Sequence, residues 1–241
     1  TEISARFVNL PPEQVEDEIK EALSRICTSL HFDRGSMWQI SEPDRSAASL
    51  THFYQYPALE REPVPGRLSG MDTFPWTTQK VMKGETVTIE KMADLPPEAA
   101  RDRESHRLYG ARSTSVIPLM AGGVVMGMMT FATVREERDW PETLVKRLQV
   151  IAQVFASAIA RKRADQALRE SEARLSLAVS SAGATLWILD VASGRIWFTD
   201  RSKDRVGLAP GKELTFDNLI SRIHPEDRER IRRVREKASK S

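Results

Sequence analysis

From Asp139 to Ala182 the chain contains no glycine, and its one proline in that span, Pro141, stands at the start. Interior glycine and proline cost a helix about 1 and 3 kcal/mol each, so a stretch free of both predicts a single long helix over 140–180. Its apolar residues repeat in sevens. Leu144, Ile151 and Ala158 form one row and Leu148 and Phe155 another, which is the a/d spacing of a coiled-coil seam. After the cationic Arg161, Lys162 and Arg163 the seam resumes at Leu168, Ser171, Leu175 and Ala178, shifted by one residue, a change of phase that alters supercoil winding. A parallel homodimer through this helix is the expectation. A helix that packs first on its own domain and then on the next accounts for the shift nearly as well.

A length of 241 residues allows one full domain and a smaller second one. Lys and Arg number 36 against 34 Asp and Glu, a net charge of +2, so no global field recruits nucleic acid or an anionic membrane. The basic tail "RERIRRVREK" is read as a solvated helix face. One cysteine, Cys27, excludes an internal disulfide and a CxxC knuckle, and its place in an apolar helix stripe predicts a buried thiol. The opening "TEISARFVNLPPEQ" has no signal-peptide run, and no stretch reads as roughly 18 consecutive apolar residues. The chain is therefore expected to be cytoplasmic, with no membrane partner.

Val15, Ile19, Ala22, Leu23, Ile26 and Leu30 recur at helical spacing between the Pro11–Pro12 pair and Gly35. "SMWQIS" and "SLTHFYQYP" read as paired strands, "FPWTTQKVMKGE" as a short helix ended by Gly84, "TVTIE" as a strand and "PPEAARDRESHRLYGA" as a helix opened by prolines. "STSVIPLMAGGVVMGMMTFATV" is the strongest β signal, two apolar runs around a Gly122–Gly123 turn. Beyond Gly183 come "TLWILD" and "RIWFTD" as a hairpin, a short polar helix after it, and two closing helices, the last starting at Pro225 with Glu226 and Asp227 in its first turn. Ile231 and Val234 are the apolar contacts that this last helix offers.

Residues 12–160 resemble a GAF domain, through "LHFDRGSMWQI", a long central insertion, the "GARSTSVIPLMAGGVVMGMMTFAT" hairpin and the exit stretch "ERDWPETLVKRLQVIAQVFASAIARKRA". Residues 172–237 are similar to the first half of a PAS domain, through "SEARLSLAVSSAGATLWILDVASGRIWFTD" and "LISRIHPEDRERI". The order GAF then PAS is that of bacterial sensor histidine kinases. The resemblance implies an α+β fold: a six-stranded antiparallel sheet flanked by helices, a long connecting helix, then a partial PAS domain. The domains are expected at 1–160 (GAF, exit helix from about 140), 161–183 (helical linker, coiled coil) and 184–241 (truncated PAS). Three further PAS strands are expected after the HPED helix but are not in the sequence, so the chain is expected to be part of a larger sensor.

Motifs for catalysis are missing. There is no GxxxxGK[ST] loop, "GGVVMG" joins strands rather than opening a helix, and His31, His52, His106 and His224 lack HExxH spacing. Neither a metal site nor an enzyme activity is expected, and a kinase domain would lie outside this chain. The resemblance implies a cavity between sheet and central helices. Its candidate walls are Trp38, Phe53, Tyr54, Phe74, Trp76, His106, Tyr109, Arg112 and Met128, aromatic faces with a few polar groups. It does not name the ligand: the insertion lacks the cysteine through which bilin-binding GAF domains hold their chromophore, the NKFDE pattern of cyclic-nucleotide GAF domains is missing, and the PAS part lacks the GxNCRFLQ stretch of flavin sensors. The cofactor is left unknown. The function implied is sensing within a two-component system. The alternative is the regulatory region of a transcription regulator or a cyclic-di-nucleotide enzyme.

Overall fold

A computed structural model describes residues 6–7, 10–41, 45–59, 65–181, 187–190, 195–198 and 214–238. The short polar helix expected after residue 198 lies outside them. The chain divides into two compact units, Thr1–Gln166 and Ala167–Ser241, with the division falling inside one continuous helix.

The first unit opens with a 3₁₀ turn at Pro12–Gln14 and helix α1, Val15–Leu30. Its buried face is Val15, Ile19, Ala22, Leu23, Ile26 and Cys27, the stripe that the i, i+3, i+4 spacing predicts. The helix stops at His31, whose φ of 56° is left-handed, not at Gly35. Gly35 lies in strand β1, Arg34–Ile40, where a Cβ would meet the Cys27 Sγ at 2.4 Å, so the strand packs against α1 only with glycine there. Strands β2, Ala48–Gln55, and β3, Arg67–Leu68, follow. Three short helices cross over next: α2, Gly70–Thr73, α3, Pro75–Val81, and α4, Ala100–Leu108, with strand β4, Val87–Ile89, between the last two. The β5–β6 hairpin joins Ser113–Ala121 to Val124–Thr133 through Gly122 and Gly123, both at positive φ (58° and 79°), which suits glycine in such a turn.

These strands form one antiparallel sheet in the order β3-β2-β1-β6-β5-β4. Alternation along the central strands divides it into two faces. Met37, Met129, Phe131, Ile117 and Leu119 point to a core shared with α1 and the exit helix α5, Glu142–Ser181. Trp38, Met128, Thr130 and Val116 point to the other face, beneath α2, α3 and α4.

The exit helix uses its heptad rows at home. Leu148, Phe155 and Ala158 are buried in the core of the first unit, and Leu144 and Ile151 pack against it. This corrects the expectation that these five residues face a partner helix: an amphipathic sheet face needs a cover, and this stripe supplies it. Only farther along, at Leu168 and Leu175, do seam residues stand exposed, each at 61%. Arg161, Lys162 and Arg163 are not loose cations either. They bond the Phe7 and Leu10 carbonyls, Glu16 Oε1 and Gln39 Oε1 respectively. By length and composition Glu142–Leu175 is also apolar enough to cross a bilayer, although it lacks a run of consecutive apolar residues, but the apolar stripe is the one just placed in the core.

In the second unit, β7, Trp187–Leu189, β8, Arg195–Phe198, and β9, Leu214–Thr215, form an antiparallel sheet in chain order, one strand more than the hairpin expected. Helices α6, Phe216–Arg222, and α7, Pro225–Ala238, follow. Ile196, Phe216 and Ile220 make a small core against which Ile231 packs, while Val234 is 63% exposed.

Candidate functional site

The face of the sheet turned away from α1 carries a cavity of about 130 Å³. Its floor repeats every second residue: Arg34, Ser36 and Trp38 on β1, Met128, Thr130 and Ala132 on β6, Thr114 and Val116 on β5. On β2 a bulge opposite Met37 and Trp38 shifts the register, which brings both Ala48 and Phe53 to the same side. The roof is Phe74, Thr77 and Thr78 of the α3 turn together with His106 and Tyr109 at the end of α4.

Of the nine residues expected to line it, Trp38, Phe53, Phe74, His106, Tyr109 and Met128 do. The other three are corrected. Tyr54 follows Phe53 in a strand and therefore points to the opposite face, where its hydroxyl lies 3.3 Å from Thr28 Oγ1. Trp76 falls off the helical face made by Phe74, Thr77 and Thr78; it packs by Val81, Val87 and Ile89, with Lys80 Nζ 5.0 Å from its ring. Arg112 is exposed, and its main-chain N–H donates to the Thr133 carbonyl where β5 begins. Sequence reasoning missed Arg34, Ser36, Thr77, Thr114 and Thr130. Counting back two and four residues from Trp38 finds Ser36 and Arg34, and counting on two from Met128 finds Thr130.

The roof is held by Asp102. Fully buried, its carboxylate accepts the Trp76 and Thr77 N–H groups at 3.0 and 2.8 Å, satisfying donors at the start of α3. Ser105 adds a bond to the Thr73 carbonyl at 2.5 Å. On the floor, Arg34 donates from Nε to Gln55 Oε1 and from Nη1 to the Tyr109 carbonyl, tying strand to roof. Trp38 Nε1 donates to Ser36 Oγ at 2.9 Å.

Two polar atoms in the roof stand out. His106 Nε2 and Thr77 Oγ1 are buried and have no hydrogen-bond partner among the described residues. Burial pushes the His106 pKa down to about 4, although Asp102 one helical turn away pulls the other way, so the imidazole is neutral at pH 7. Its ring also lies 4.8 Å from that of Phe74. Cys27 is on the far side of the sheet, fully buried, its thiol raised to about 12 by desolvation. Among the described residues no group of three His, Cys, Asp or Glu is arranged to hold a metal.

Residues 14–159 match the GAF domain family. Among solved structures, the phycocyanobilin-bound GAF domain of a cyanobacterial phytochrome is similar, at 19% identity and a TM-score of 0.56, covering 68% of this chain and 95% of that one. A methyl-accepting chemotaxis protein matches at 16% identity and 0.53, covering 66% and 96%. The GAF domain of an Acinetobacter phosphoenolpyruvate-protein phosphotransferase matches at 17% and 0.51, covering 68% and 91%. At such identities the likeness is one of fold. No curated protein matches the chain. The residues present offer a bilin no thiol anchor at the cavity, because the sole cysteine, Cys27, is buried across the sheet. The matched segment, the six-stranded order and the helices on both faces agree, and the chain belongs to the GAF domain family.

Proposed function

We propose that the chain is the sensory and regulatory region of a bacterial signal-transduction protein, that its GAF cavity binds a small molecule, and that α5 carries the response onward. The observation that supports this is the division of labour along β1 and β6. Trp38 and Met128 line the cavity, while their chain neighbours Met37 and Met129 pack in the core that α5 covers. A ligand that moves these strands moves the bed of the exit helix, and packed interfaces answer in discrete steps.

In the finer form of the proposal the second unit is part of a PAS domain, the parent is a sensor histidine kinase of a two-component system, and two copies pair through α5. Leu168 and Leu175 are the exposed seam residues that favour pairing beyond Gln166. A transcription regulator or a cyclic-di-nucleotide enzyme would use the same module. A native mass spectrum of the purified chain tests both parts: a dimer retaining a small molecule is the expected result. A bare monomer counts against cavity sensing and paired-helix relay together.

A further inference from the structure

We infer that the cavity takes an uncharged single-ring aromatic molecule which presents one hydroxyl or amide-like group to His106 and Thr77. The inference rests on the cavity being a ligand site, as proposed above, and adds the class of ligand.

Size comes first. A cavity of about 130 Å³ is close to the roughly 150 Å³ engineered cavity that admits benzene, which is the scale of a single ring. The walls suit a flat ring. Trp38, Phe53, Phe74 and Tyr109 surround the space, and aromatic rings favour one another in offset or tilted arrangements.

Polarity comes second. Thr77 and His106 are 4% and 6% exposed, and both carry a side-chain atom without a hydrogen-bond partner among the described residues. An unmade bond in such a place is destabilising, and its persistence calls for an explanation. A ligand hydroxyl or amide both donates and accepts, so it satisfies a threonine hydroxyl and either tautomer of a neutral imidazole. A carboxylate is disfavoured at His106 and Thr77, because the neutral imidazole supplies no charge there and burying an unpaired anion is costly; the cavity's cation, the Arg34 guanidinium, stands on the floor, tied to Gln55 and the Tyr109 carbonyl through Nε and Nη1, and benzoate is the probe that would seek it.

The test uses the full 241-residue chain with phenol, benzene and benzoate as probes, followed by calorimetry and Trp fluorescence. Phenol is expected to bind saturably and more tightly than either of the others. Thr77→Val keeps the shape and removes the orphan hydroxyl. It should raise the melting temperature of the free protein while weakening phenol about tenfold, the value of one hydrogen bond, and leaving benzene unchanged. A purely structural threonine would not move those two readouts in opposite directions. His106→Phe provides a second check with the same expected loss, read on protein whose thermal melt shows it folded. Benzoate binding tighter than phenol, or phenol affinity unaltered in both variants, overturns the assignment. Failure of all three probes in a chain whose native spectrum shows a larger retained molecule overturns the ligand class alone. The same failure in a bare chain overturns the sensing proposal as well.

Discussion

Asp102 does for the cavity roof what no hydrophobic contact can. Removing its side chain leaves the Trp76 and Thr77 N–H groups buried without an acceptor, so Asp102→Ala is expected to cost about 2–3 kcal/mol in urea unfolding. Asn, which keeps one acceptor oxygen, should recover part of it. Gly127 poses the opposite problem. A Cβ there would sit 2.2 Å from the Trp38 carbonyl oxygen, a backbone atom that cannot swing aside. Neither role was legible in the sequence, because Asp102 acts across 25 residues and Gly127 faces a strand some ninety positions earlier. Trp38 and Met128 were legible, since each stands in a strand rich in apolar side chains. Arg34 was not, because a charged residue at a strand end reads as surface until its carbonyl partner at Tyr109 is seen.

Among the elements, α5 shows how far periodicity reaches. Its existence and length followed from the missing glycine and proline, but the heptad pattern could not say which surface it met. A stripe repeating every seven residues covers a sheet as readily as a second helix. Phe155 and Leu168 belonged to one expected seam, and they separate cleanly by environment: the first is fully buried and the second 61% exposed. Phe155→Ala is therefore expected to cost about 3–5 kcal/mol. Leu168→Ala should stay within about 0.5 kcal/mol at dilute protein concentration, and cost more at high concentration if the helices pair. Equilibrium unfolding at two protein concentrations separates the cases.

For the molecule as a whole, acid should act in two steps. His106 is held neutral, with a pKa of about 4 against an ordinary 6.5. Between those values the unfolded chain takes up a proton that the folded one refuses, so stability falls as pH drops through that window, by on the order of 3 kcal/mol. Glu16 is lowered to about 2 from 4.5, first by its hydrogen bond with His52 and then by Lys162 against burial. Its stabilisation is complete above pH 4.5 and lost on going toward 2. Its side chain is 41% exposed, so solvent screening reduces that contribution to about 1 kcal/mol. Thermal melts at closely spaced pH values should show the upper step vanish in His106→Phe and the lower one remain. That lower network joins the start of α1, strand β2 and α5 at Lys162, so strong acid should weaken the tie between these three elements.

The burial of Cys27 also has a practical side. With a single cysteine in the chain, fully covered by α1 and β1, the folded protein behaves toward maleimide as though it had none. A cysteine placed at Leu168 or Leu175 would then be the one reactive handle per copy, and a spin label on it would test the proposed pairing of exit helices without any prior removal of native thiols.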